Sequence, residues 1–388
     1  MNKDFKKKLR DYADGNLSPE ERTEVEREIE KMEAYQAFLE EELSCPKSED
    51  NSAVSGANIT KSEARVIFKA KWKARLHNAF TALALIMMGT ILCSIITGIF
   101  YSTGNPGRAV IYRDVVESTI ALTEPNLLVR GNGTKVNPFF SMDFKGNLKK
   151  EIGSEMVDTG IIETSFFFNQ VRYPERSMTV NHENTWPFVY PGAVNVLNAD
   201  WAKLEKLSEG TVAEAYLSFD NFYSTGDVLN KLKGKNMQPV WFVVDTGFDN
   251  FDTNPRASFI GFPYHPIWHS DDMKVTNHTY EKKGLFSDVV SKSAISPAVE
   301  AYGSAEIRND NFIKTLKLLN KYEKIANRVA MRENLKLSDR IKYLQKNGIK
   351  IYGIVVTGPS KEILKLKSED WVKGIHLGEV KLWNWTRT

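Results

Sequence analysis

Residues 79 to 100 read AFTALALIMMGTILCSIITGIF, 22 consecutive positions without a charge. Wound as an α-helix, this run is about 33 Å long, against a bilayer hydrocarbon core of roughly 30 Å. Ten of the 22 are Leu, Ile or Phe, and at about −0.3 to −0.6 kcal/mol each they favour insertion by roughly 3 to 6 kcal/mol. A buried core helix would show the same composition, so the flanks matter. Lys61, Arg65, Lys69, Lys71, Lys73 and Arg75 precede the run, and only Arg108 and Arg113 follow it closely. That asymmetry predicts a single transmembrane helix over 79–101 with a cytoplasmic N-terminus. A cleaved signal peptide would start near residue 1 and carry a shorter apolar stretch.

Working outward, the 388-residue chain is 42% hydrophobic and 26% charged, close to a globular average. Its formal net charge of +3 is too small for a dedicated nucleic-acid binder, so no direct nucleic-acid contact is expected. The charge is also unevenly spread. Residues 1–44 carry 8 Lys and Arg against 13 Asp and Glu, whereas residues 45–77 carry 7 against 3. Cys45 and Cys93 are the two cysteines, which excludes a disulfide framework and a cysteine-rich zinc site. Neither metal nor cofactor is expected. Four segments result: a helical head at 1–44, a linker and basic juxtamembrane segment at 45–78, the span at 79–101 and an extracytoplasmic domain at 102–388.

In the head, Phe5, Leu9, Tyr12 and Ala13 recur at helical spacing, and Gly15 follows where a left-handed terminal residue is commonly needed. Ser18-Pro19-Glu20-Glu21 then supplies an N-cap, a first-turn proline and a capping-box carboxylate. Val25, Ile29, Met32, Leu39 and Leu43 line one stripe of the second helix, flanked by Tyr35, Phe38 and many glutamates. A small all-α helical hairpin is predicted. Its longer helix cannot bury its whole stripe on the shorter one. The uncovered remainder suits a basic, helical partner surface, or equally a self-associating coiled coil. Residues 44–60 are rich in Gly, Ser and Asn and read as a flexible linker. The basic stretch SEARVIFKAKWKARLHN after it should meet anionic membrane lipid.

The stretch LRDYADGNLSPEERTEVEREIEKMEAYQAFLEEEL resembles the sigma-factor-regulator N-terminal domain of membrane-anchored anti-sigma factors, and YGIVVTGPSKEILKLKSEDWVKGIHLGEVKLWNW, from Tyr352, resembles the end of the matching C-terminal domain. The resemblance implies that the head sequesters an extracytoplasmic-function sigma factor by occlusion, while the outer domain couples release to envelope conditions. It places Leu9, Tyr12, Leu17, Val25, Ile29 and Met32 at the sigma interface. Some relatives work with a small membrane co-inhibitor. The head has no His and paired Cys of the zinc-containing type.

The outer segment mixes strand-like and helix-like runs and reads as α/β or α+β. Residues 163–171, 212–219, 239–245, 258–262 and 352–357 are the strand candidates; 224–232, 311–333 and 360–367 are the helix candidates, with Ser360 as a cap for the last. Several constellations there fall short of chemistry. His265, His269 and Asp271 have ligand-like spacing, but Pro263 and Pro266 break any helix that would align them. Asp245, Asp249 and Asp252 lack the terminal Glu of a calcium loop. Asp245-Thr246-Gly247 has no second copy, as an aspartic protease would need, and the glycines around Gly353 and Gly358 match no phosphate-binding motif. Trp371, Trp383 and Trp385 read as packing anchors. The chain is therefore not read as an enzyme; the rival reading is a membrane-anchored hydrolase or ligand-binding protein with a short assembly segment.

Overall fold

The computed structural model describes residues 11–13, 15, 17–43, 61–179, 187–193, 199–250, 258–282 and 288–385. The chain divides into two compact units, Met1–Asn78 and Ala79–Thr388. Leu9 and Asp252 lie outside the described residues, as do the side chains of Phe38, Leu39 and Leu43.

In the first unit, residues 11–13 are helical and Gly15 takes φ +78, the conformation expected of a helix-ending glycine. Helix α1 (Pro19–Leu43) follows. The predicted capping box forms: the Ser18 amide donates to Glu21 Oε2 at 3.2 Å, and the Glu21 amide donates to Ser18 Oγ at 3.4 Å. Helix α2 (Lys61–Ser102) begins in this unit and runs without interruption through the apolar stretch. Its segment Phe68–Ser102 has a mean hydropathy of 2.3 in its most apolar window and is long enough to cross a membrane.

The second unit turns back at Gly107 into α3 (Arg108–Thr123). Five antiparallel strands come next: β1 (Leu128–Asn137), β2 (Ser141–Ile152), β3 (Glu155–Phe167), β4 (Gln170–Val171) and β5 (Glu175–Met178), in the order β1-β2-β3-β4 with β5 also on β3. After α4 (Ala199–Lys206) come β6 (Thr211–Tyr223), α5 (Thr225–Leu232), β7 (Gln238–Val244) and β8 (Ile260–Pro263). A separate hairpin pairs β9 (Lys274–Lys282) with β10 (Asp288–Ile295). Helices α6 (Ala305–Lys321), α7 (Glu323–Val329) and α8 (Leu337–Asn347) lead to β11 (Ile351–Pro359), the short α9 (Ser360–Leu364) and β12 (Val372–Leu382).

The central sheet has the order β12-β6-β11-β7-β8, and every pairing is antiparallel. The second unit is thus α+β; no strand pair among the described residues is parallel, as the α/β alternative required. Strand β11 lies at the centre with all nine residues buried. Helix α3 packs against β1, β8, α6 and α7, and Val115, Val116, Ile120 and Leu122 carry it into one core shared with both large sheets. Trp241 of β7 donates from Nε1 to the Ala121 carbonyl at 2.8 Å.

Three of the expected elements differ in extent. The helix expected over 311–333 starts earlier and breaks at Tyr322, whose φ of −118 ends α6 before α7 begins. Ser360 does not cap α9; it is the first helical residue, and its Oγ lies 2.7 Å from Thr211 Oγ1 on β6. The strand expected from Glu163 is the second half of β3, which ends where Phe168 turns with φ +54.

Candidate functional site

The helical period of α1 puts Val25, Ile29 and Met32 on one line, but the structure treats them differently. Val25 is 1% exposed and Ile29 8%, whereas Met32 is 37% and Tyr35 65% exposed. Tyr12 and Leu17 are half-buried. The Tyr12 hydroxyl donates to Glu26 Oε1 at 3.1 Å, and the Arg22 guanidinium sits 5.9 Å from the Tyr12 ring. The start of α2 joins them: Lys69 Nζ donates to the Ala13 carbonyl at 3.2 Å, and Arg75 bonds the Gln36 side chain. Residues 11–13, α1 and the first turns of α2 therefore share polar contacts within one unit. Val25 and Ile29 close its interior, while Met32 and Tyr35 present an apolar surface among carboxylates. Sequence periodicity found the stripe, but it could not show that α2 contributes polar contacts to the same unit.

In the second unit, the histidines separate. His265 sits edge-on to Tyr264 at 4.8 Å, and His269 turns inward, its Nε2 2.9 Å from Ser118 Oγ on α3. His269, Asp271 and Asp272 could together surround a cation. The Lys314 ammonium already occupies that role, bonding Asp272 and lying 2.8 Å from Asp271. It holds the Asp271 carboxyl below the usual range, and burial pushes the His269 imidazole down. Ser118, His269 and Asp272 have the residue types of a hydrolase triad, but Ser118 is fully buried and His269 Nδ1 is 3.8 Å from Asp272. No substrate can reach that hydroxyl, so the contact orients His269.

Asp245 and Asp249 are likewise engaged by neighbouring side chains. Asp245 accepts from the Tyr190 hydroxyl at 3.0 Å and the Tyr343 hydroxyl at 2.7 Å; burial, and then the bond to Asp245, push Tyr343 up to about 12. Asp249 accepts from the Thr246 amide at 2.6 Å and pairs with Arg340 Nη1 at 3.3 Å. Burial pushes its carboxyl up, opposed by Arg340. Trp371 packs on Phe219 at 5.3 Å, Trp385 donates to Asn236 at 2.9 Å, and Trp383 stays 53% exposed.

Two features carry no motif in the sequence. A cavity of about 420 Å³ opens between α3, β1 and the 263–268 loop, lined by Glu117, Leu128, Arg130, His265 and Trp268 among others. Glu117 is pushed up to about 7 by burial, with Arg113 opposing. Between the two large sheets, Lys150 of β2 reaches Glu214 of β6 at 3.0 Å, with side-chain exposures of 3% and 0%. Asn126 and Tyr216 also donate to Glu214, at 2.8 and 3.0 Å. Only the three-dimensional pairing of the sheets brings these residues together.

Comparison with known proteins gives these units a lineage. The sigma factor regulator N-terminal family matches residues 65–157, and the sigma factor regulator C-terminal family matches residues 204–379. The first match begins after the 9–43 stretch on which the N-terminal resemblance was placed. It falls instead on α2, α3 and the first strands, which corrects the location of that domain. The second covers most of the tail motif and extends through the middle of the chain. A protein of Bacillus subtilis (strain 168) described as "Probable anti-sigma-M factor YhdL" is 32% identical over 401 residues, covering 99% of this chain and 100% of its own length, head included. No solved structure matches the chain. With a full-length relative and both halves of the regulator recognised in the expected order, this chain belongs to the sigma-factor-regulator family of anti-sigma factors.

Proposed function

We propose that this chain sequesters a sigma factor of the extracytoplasmic-function class with its N-terminal head at the cytoplasmic face of the membrane, that α2 crosses the bilayer, and that the outer unit biases release. The observation that carries the reading is the end-to-end relationship to an anti-sigma factor. The basic residues ahead of the apolar run support the orientation. Inhibition is by occlusion, since binding alone removes a sigma factor from its other partners.

Among the described positions expected at the interface, Met32 is the exposed one, and Tyr12 and Leu17 are half-buried. These three, with Tyr35 beside them, supply the first contact. Val25 and Ile29 hold the head together, and they would meet a partner only if its helices part on binding. An apolar patch ringed by glutamates favours a basic, apolar-cored partner helix, with burial supplying affinity and charge supplying approach rate.

The test is affinity capture by the full chain from host lysate, with wild type and Met32→Asp compared by mass spectrometry. Wild type should recover one sigma factor and the variant at least about tenfold less, because a charge forced into an apolar contact leaves it desolvated. Equal recovery removes Met32 from the interface; no sigma factor on wild type refutes the function itself.

A further inference from the structure

The membrane-crossing helix does not end free of the outer unit. The Phe140 amide donates to Thr97 Oγ1 at 2.9 Å, and Thr97 is fully buried. Thr97 precedes the last residue of the apolar run by three positions, about 4.5 Å of helix. One turn on, the Tyr101 hydroxyl donates to the carbonyls of Phe140 at 2.9 Å and Phe168 at 3.3 Å. The loops carrying these groups join β1 to β2 and β3 to β4. Phe140 and Phe168 stack at 4.3 Å, and both meet Phe100 edge-on at 6.3 and 5.5 Å. Two strand-turn tips thus close around the end of α2, level with residues belonging to its apolar run.

Their outward side chains fit no aqueous role. Phe139 is 57% exposed and Phe167 56%. Phe139, Phe140 and Phe168 have φ of +60, +56 and +54, a region in which bulky residues are uncommon. Residues 136–142 and 164–171 carry no charge, and the first charged positions beyond them are Lys135, Asp143, Glu163 and Arg172. Arg108 caps the same end of the helix, donating to the Phe100 carbonyl at 2.7 Å with its guanidinium 4.6 Å from the Phe100 ring. A charge-free, phenylalanine-tipped zone edged by polar groups suits shallow insertion at the headgroup and acyl-chain boundary.

We propose that the Phe139–Phe140 and Phe167–Phe168 tips form a collar seated in the lipid leaflet on the C-terminal side of α2, so that the outer unit grips the lipid surface as well as the helix. The occupant of this face is lipid, because Thr97 fixes its depth within the apolar run. This rests on the reading that α2 crosses a membrane. A collar of this kind ties the first sheet to lipid packing, giving the outer unit a direct input from the membrane.

The test uses the full chain, with Cys45→Ser and Cys93→Ala, in vesicles of phosphatidylethanolamine and phosphatidylglycerol. Single Phe139→Cys, Phe167→Cys, Ile91→Cys and Lys346→Cys variants are spin-labelled and compared for accessibility to oxygen and to a water-soluble nickel chelate. Ile91 reports the span and Lys346, exposed on α8, the aqueous surface. The oxygen-to-nickel ratio at 139 and 167 should be several-fold above that at 346 and of the same sense as at 91. Ratios at 139 and 167 equal to that at 346, with 91 lipid-like, overturn the collar and leave the tips to a protein partner. A nickel-accessible 91 overturns the spanning reading, and the collar with it.

Discussion

Replacing Lys150 with Met tests what joins the two large sheets of the second unit. The ammonium lies 3.0 Å from Glu214 Oε2, 3.3 Å from the Tyr216 hydroxyl and 3.9 Å from Glu379 Oε1, and both partners of the central pair are almost wholly out of water. Met retains most of the packing volume and removes the charge. Glu214 keeps its bonds from Asn126 and Tyr216 but loses its cation, and stranding a buried charge in this way costs about 3–5 kcal/mol. At about 2 °C per kcal/mol for a domain of this size, the melting temperature should fall by roughly 6–10 °C. The assay is thermal unfolding of the full chain in detergent micelles, followed by near-ultraviolet circular dichroism. The double variant Lys150→Met/Glu214→Leu should recover most of the loss, because a buried ion pair can be exchanged for apolar groups at little net cost. A double variant that melts as low as the single one would refute the argument, since the cost would then be packing and not an unpaired carboxylate.

Three further outcomes are expected. Tyr101→Phe removes a hydroxyl that serves two carbonyls and should cost about 1 kcal/mol, with faster hydrogen exchange at the Phe140 amide; unchanged exchange would show that the hydroxyl does not hold the tip. Glu117 is pushed from 4.5 to about 7 by burial, so the unfolded chain gives up this proton first and the carboxyl increasingly penalises the native state as pH rises through that window. Glu117→Gln should therefore gain on wild type from pH 4.5 to 7 and level off at up to about 3 kcal/mol; a gap that is the same at both ends would discard the assignment. Ile29→Asp places a carboxylate at a position 8% exposed and should reduce far-ultraviolet helicity of the head by unfolding it; full helicity would mean that the site opens readily to solvent.

Periodicity and capping chemistry made the helical parts legible. The Ser18 box, the Gly15 turn and the apolar run each follow from a few adjacent residues, and each local signal agrees with what the chain adopts. The buried strands β6, β7 and β11 were legible from their β-branched and aromatic residues. The break at Tyr322 was hidden because both flanking segments keep a helical apolar period. Helix α3 was missed altogether: its residues are buried on nearly all sides, so it has no polar face to set a period. The contacts that matter most, such as Lys150 with Glu214 or Thr97 with Phe140, join residues 64 and 43 positions apart, and no local pattern carries that information. The family resemblance supplied function where periodicity could not, although it placed the N-terminal regulator domain upstream of where it lies.

The tight passage from α2 into α3 has a consequence for cleavage. Tyr101 is already core, the Thr103 amide still bonds the Ile99 carbonyl at 3.0 Å, and Gly104 bridges to Gly107 before α3 starts at Arg108. Five residues so constrained offer a protease no extended length of chain, and cutting there would track the rare opening of the junction. Cleavage at this point would be slow in the resting protein, and its rate would report how often the base of the domain comes loose.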